Sequence, residues 1–507
     1  MTRSLSRRAI LRSAATTSAA LGLGELSFLS ALPPIQDSLG LDASVVRFDS
    51  GIEPLVRLLE ETPREKLLEV FAARIQAGTT YNEVLTALLL AGIRNIPPRP
   101  DVGWKFHAVL VLNSAHLASQ AATGSQRWLP IFWALDEFKN SQARDVREGN
   151  WTMGKVDEAR VPPAHKARAA FIDAMERWDV EAADVAVAGL ARTAPSHELF
   201  ELFARYGARD FRSIGHKAIF VANSWRALQS IGWGHAEPVL RSLAYALLNH
   251  NGQPNPADSD LDADRPWREN VELANSIGKK WRGGKTSADA TGDLIETLRG
   301  GSAADASEKV VELLAKGFSE RSVYDGLLLG SAELLMRQPG IVALHSMTTS
   351  NALRYNFATT ENDDTRRMLL LQNAAFVPLF REAMKGRGEV GEATIDGLEA
   401  ADSGDAVLGL EPVFDAIGKD RHSAAGGLLG HLDGGADPRE FIDGARRLIF
   451  LKGTNSHDYK FSSAVLEDFY HISPEWRNRY LAASVFNLRG SSHKDNPLVK
   501  RARTALG

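Results

Sequence analysis

AGTTYNEVLTALLLAG, residues 77–92, places Tyr81, Val84, Leu85, Leu88 and Leu89 at the i, i+3, i+4, i+7, i+8 spacing of one helix face. Three further segments read the same way, each entered through a Gly- or Pro-containing turn. They are TAPSHELFELFARYG (193–207), GFSERSVYDGLLLGSA (317–332) and GADPREFIDGARRLIF (435–450). Downstream of each lies a histidine: His107, His216, His345 and His457, spaced 109, 129 and 112 residues apart. About two helical turns beyond each comes a small polar pair, Asn113-Ser114, Asn223-Ser224, Asn351-Ala352 and Ser462-Ser463. Self-similarity at a near-fixed period is a statement about architecture before it is one about function.

Working outward, helix follows helix. The histidine helices are expected over 104–118, 212–229, 341–355 and 458–470. Each is followed by another apolar helix, at 127–142, 236–250, 366–384 and 475–488. Helix starts carry caps: Thr62-Pro63 with Glu65, Ser196 before His197-Glu198, Asp437-Pro438 with Glu440, and Ser473-Pro474-Glu475. No run alternates as a strand would. The chain therefore reads as all-α, with four tandem helical units of about four helices each in two pseudo-equivalent halves. The halves span 46–250 and 289–507. Between them, 251–288 is rich in Pro, Gly and Asp and reads as a polar insertion loop, which accounts for the longer middle spacing. Segment 386–404, rich in Gly and Glu, reads as a surface connector.

The chain of 507 residues, 44% hydrophobic and 24% charged, has the balance of a soluble globular protein with a sizeable core. A formal charge of −4 with no basic run argues against a nucleic-acid partner. The absence of cysteine excludes disulfides, iron–sulfur clusters, thiolate zinc sites and c-type haem attachment.

Residues 1–45 read as a signal and linker. Arg7-Arg8, followed by a mildly apolar run from Ser13 to Gly24, resembles a twin-arginine export signal. Glu25 interrupts the apolar run, so no transmembrane segment is expected. Export by that route places the protein in the periplasm or otherwise outside the cytoplasm. The route carries proteins that have already folded.

The chemistry centres on His107, His216, His345 and His457. In register, the preceding helices offer Glu201, Asp325 and Asp443 at one position, with Thr86 there in the first unit. Imidazole and carboxylate together suit iron, manganese or zinc, and an open coordination position makes such a site catalytic. Two other readings stand beside it. The histidines are core residues hydrogen-bonded to a carbonyl or carboxylate, or they contact an organic substrate as acid and base without metal. A second constellation, Asp258, Asp260, Asp262, Asp264 and Glu269, has the oxygen spacing of a calcium loop. Ala263 replaces the expected glycine, and Arg265 and Pro266 depart from the pattern. Trp104, Trp128, Trp133, Trp225 and Trp233 are candidates for an aromatic-lined pocket. No GxGxxG after a strand, GxxxxGK[ST] or GxSxG is present.

The stretch Leu344-His345-Ser-Met-Thr-Thr-Ser-Asn-Ala-Leu-Arg354, with Arg366-Arg367-Met-Leu-Leu-Leu-Gln and Phe380-Arg381, resembles the questin oxidase-like family. Members carry a His-x-x-Thr-Ser-type helix and then an Arg-Leu-Leu-rich helix. They also carry an earlier histidine helix, which His107 or His216 would match. The resemblance implies an oxygen-dependent ring opening of an anthraquinone, fed by a reduced nicotinamide. The export signal departs from such an intracellular oxidase. Two functions follow as expectations. One is an exported oxidase or oxygenase acting on a small organic, aromatic substrate through a His-lined interior site, with iron or another transition metal. The other is a non-enzymatic helical-repeat binding or scaffold protein that holds a protein partner or a ligand outside the cytoplasm. Convergence of the four histidines on one cavity favours the first, and their pointing separately into the contacts between neighbouring units favours the second.

Overall fold

The computed structural model describes residues 42, 44–98, 104–122, 124–248, 253–401 and 409–507, with the side chains of 104–110 and 125 outside that description. Local sequence explains why the helices begin where they do. The Thr80 hydroxyl accepts the Glu83 amide while Glu83 reaches back to Thr80, a capping box that starts the Tyr81–Asn95 helix. Asn455 and Asp458 do the same for the Ser456–Asp468 helix. Among the described residues there result twenty-two α-helices and no strand, with two isolated bridges, Val45–Gly154 and Lys285–Phe318. The chain is all-α.

The four helices that carry the histidines are Trp104–Ala121, His216–Ile231, Ile341–Thr359 and Ser456–Asp468. They close a ring. The first packs on the second and the fourth, and the third packs on the same two. The small polar pairs are the reason they fit. Ser114 Oγ lies 2.8 Å from Ser463 Oγ, and Asn113 Nδ2 donates to Asn223 Oδ1 at 3.5 Å. Asn351 Nδ2 donates to Asp468 Oδ1 at 2.8 Å. Short side chains let the backbones approach, and their polar atoms find partners across the seam. The apolar helices Tyr81–Asn95, Ser196–Gly207, Glu320–Arg337 and Pro438–Lys452 precede the four, as the sequence repeat indicates.

Two boundaries differ from the sequence reading. The 251–288 segment is no simple loop. It contains the Arg265–Ser276 helix, whose Asn270 Nδ2 donates to Gln372 Oε1 at 2.7 Å in the interior. The side chains of Arg212 and Asp264, 1% and 0% exposed, form an ion pair at 2.7 Å that ties this segment down. The N-terminal boundary falls earlier than 45: Lys155 N donates to Ser44 O at 2.7 Å, and Asp42–Gly507 is one compact body. Arg7, Arg8 and the rest of the expected signal lie outside the described residues. No described helix is long and apolar enough to cross a membrane.

Candidate functional site

Three of the four histidines meet. His216 opens its helix, and the chain enters it through Ile214 and Gly215, both in the left-handed region at φ 45° and 78°. Gly215 sits where any side chain would run into Thr349 of the His345 helix. A β-branched residue such as Ile214 adopts this conformation only when packing enforces it, and such strain clusters at functional sites. The turn brings the start of one histidine helix onto the middle of the other. His345, a turn inside its own helix, then places Nε2 at 3.1 Å from Nε2 of His216. The ring centroids are 4.5 Å apart. His457 closes the group, its ring 5.2 Å from that of His345 and nearly perpendicular to it.

Lys460, one turn after His457, brings its amine to 3.3 Å from His345 Nε2. His216, His345 and Lys460 are 2%, 0% and 2% exposed. Burial pushes the Lys460 amine down to about 7. Burial, with the neighbouring amine second, holds His216 and His345 well below the usual imidazole value, and lowers His457 to about 3. The rings are thus neutral at neutral pH.

Their tautomers follow from partners that only accept. Nδ1–H of His216 donates to the Ser213 carbonyl at 2.7 Å, and Nδ1–H of His345 donates to the Ile341 carbonyl at 2.6 Å. Both Nε2 atoms therefore present lone pairs, and they present them to each other. Such a contact calls for an electrophile between or beside the two nitrogens, and the Lys460 ammonium is one. A metal ion is another. Metal–imidazole bonds of about 2.0–2.1 Å give a ligand-to-ligand edge of roughly 3 Å. An Nδ1–H tied to a carbonyl is the usual way a protein orients a ligating ring.

The predicted carboxylates do not join this group. Glu201 accepts hydrogen bonds from Thr360 and Thr365. Asp325 is buried and accepts the Ser473 amide at 3.1 Å. Asp443 lies on the surface, 3.6 Å from Arg446. Among the described residues no cluster of three or more His, Asp or Glu is arranged to hold a metal. The nitrogen set is His216, His345 and Lys460, with His457 beside it. His107 lies on its helix in the same ring, and its side chain is outside the described residues.

The calcium loop is not formed. Asp260 and Asp262 are taken by Arg265, Asp260 also by Arg268, and Asp264 by Arg212, so guanidinium groups stand where a cation would. Asp258 ends a short 3-10 turn and Glu269 lies on the Arg265–Ser276 helix. The tryptophans do not share a pocket either. Trp133 stacks on Tyr459 at 4.0 Å, Trp225 packs against Trp233 at 5.1 Å, and Trp128 lies against Tyr81. The side chain of Trp104 is outside the described residues.

Sequence reasoning missed Lys460. The available signal was a lone cation between Tyr459 and Phe461, three residues after His457 and so on its face of the helix. It also missed the second half of the ring. A cavity of about 650 Å³ is lined by later residues of the same four helices, among them Asn113, His116, Arg226, Tyr355 and Glu467, and by Arg446 and Ile449 of the Pro438–Lys452 helix; His216, His345 and His457 are not in its lining.

No family model, no curated protein and no solved structure matches this chain.

Proposed function

We propose that the buried nitrogen cluster is a transition-metal centre, with iron the first candidate, in an exported oxidase or oxygenase acting on a small organic substrate. The observation that carries this reading is the approach of the two Nε2 atoms to 3.1 Å, each ring fixed through Nδ1 to a backbone carbonyl. A core histidine needs a partner for its polar atoms, and two rings with purely structural roles have no reason to bring their Nε2 atoms together. The questin oxidase-like resemblance around His345 supports an oxidative reaction, and the convergence of histidines weighs against a scaffold that binds only a protein partner.

When bound, a redox metal supplies the one-electron chemistry that organic substrates and dioxygen otherwise lack. The protein's residues do the rest. The carbonyls of Ser213 and Ile341 hold the rings in one tautomer and orientation. The surrounding apolar helices exclude water. The Lys460 Nζ, 3.3 Å from His345 Nε2, stands beside the two rings as the third nitrogen of the group.

Elemental analysis of the purified full chain tests the centre. About one transition metal per chain is expected. His345→Ala and His216→Ala should lose the metal while far-UV circular dichroism stays unchanged. A metal-free wild-type protein, purified without chelators and after growth with iron, sinks the reading. If the rings are only structural, His345→Ala instead lowers stability by about 1–3 kcal/mol with no ligand lost. Export has its own check: Arg7→Lys with Arg8→Lys should trap the protein in the cytoplasm, and normal export of the double variant refutes the signal.

A further inference from the structure

We propose that the cavity lined by the later turns of the four histidine helices and by Arg446 and Ile449 of the Pro438–Lys452 helix binds a small organic carboxylate with an apolar body. This inference deepens the oxidase reading and rests on it only for the carboxylate being a substrate; binding itself stands on the cavity.

Three observations support it. The first is charge. The lining carries two guanidinium groups, Arg226 and Arg446, and Glu467 as its one carboxylate, so the chamber is net positive. The second is incomplete pairing. Arg226 Nη2 holds both Glu467 oxygens at 2.9 and 2.7 Å, but Nη1 reaches only the amide oxygens of Asn223 and Asn351, at 3.4 Å. Arg446 faces nothing tighter than Asp443 at 3.6 Å. Guanidinium donors of this kind match a carboxylate's two oxygens. The Arg226 side chain, 11% exposed and 4.0 Å above the Tyr355 ring, is held rigidly for the purpose.

The third observation is the rim. Leu117 and Tyr470, two of the exposed large apolar side chains of the described protein, both line this cavity, at 39% and 53% exposure. Solvent-facing apolar residues beside a polar chamber suit a ligand with an apolar body and a charged end. A volume of about 650 Å³ lies inside the range of small-molecule sites. The cavity and the histidine cluster share their four helices, and the seam of Asn113, Asn223 and Asn351 lies beyond the histidines on each strand of sequence. A carboxylate bound on the arginines therefore has its apolar end free to lie along the ring of helices.

Naphthoate and its neutral isostere naphthamide are the probes, measured by calorimetry on the full chain after metal removal. Naphthoate should bind wild-type protein at least about tenfold more tightly than naphthamide, the worth of one charge-assisted pair. Arg446→Gln should erase that preference, as should Arg226→Gln. The Arg446 variant changes a surface-reaching side chain and so keeps the fold. Equal affinity for the two probes, binding of neither, or an unchanged preference in Arg446→Gln overturns the proposal. Metal content is read separately: metal without naphthoate binding removes this inference alone, and naphthoate binding without metal removes the oxidase reading alone.

Discussion

Gly215 is the residue on which the histidine pair depends. Its φ of 78° and the Thr349 side chain against it leave no room for Cβ. Gly215→Ala should cost about 2–4 kcal/mol, combining left-handed strain with a steric clash, and should part His216 from His345. Thermal unfolding together with metal content checks both. Asp468 supplies a pH dependence. Buried between Asn351 Nδ2 at 2.8 Å and the Tyr480 hydroxyl at 3.1 Å, its carboxyl is pushed up to about 7 by burial. The folded protein therefore holds that proton more tightly than the unfolded chain, where the value is about 3.9. The contribution is fully present below about pH 4 and is lost as pH rises through about 7. Asp468→Asn should flatten this part of the stability curve; denaturant titrations showing the same slope in both proteins contradict it. At this scale the sequence revealed the histidines, because each recurred at a matching place. It did not reveal Lys460, Arg226 or Asp468, which have no counterparts in the other units and owe their roles to burial that only packing creates.

The helices show what pattern can and cannot specify. The apolar stripe at Tyr81, Val84, Leu85, Leu88 and Leu89 fell on a real helix, Tyr81–Asn95, and Asp437 caps Pro438–Lys452 as expected. Ser196 does not cap: it is the first helical residue, after Pro195. The Arg265–Ser276 helix was hidden because its polar composition resembles a loop, and its stability comes from tertiary contacts to Gln372 and Arg212 rather than from propensity. Asp264→Ala should therefore destabilise the protein by about 3–5 kcal/mol, since it leaves the Arg212 guanidinium buried without its partner. A loss below 1 kcal/mol in urea unfolding would return this segment to the status of an insertion. Elsewhere Gly326 and Gly330 let the Glu320–Arg337 helix lie against Leu294 and Leu298 of the Ala288–Gly300 helix. Gly330→Leu should cost about 1–3 kcal/mol through overpacking, read as a lower melting temperature.

For the whole molecule, the fold class followed from helix periodicity alone, whereas the closing of the four histidine helices into a ring was not foreseen from their spacing. The meeting of the rings did not follow, since sequence gives each side chain a face but not the angle at which helices cross. That ring has a consequence in time. His216, His345 and Lys460 are separated by 129 and 115 residues, and each lies on a different helix of the ring. Contacts this distant in sequence pay their loop-closure entropy late, so they form slowly and after local helices exist. A chain still emerging from the ribosome lacks the cluster until residue 460 has been made and docked. The ion, under the proposed reading, is captured by a nearly finished protein. On a twin-arginine route that moment falls before translocation, which makes the cytoplasm the compartment that chooses the metal.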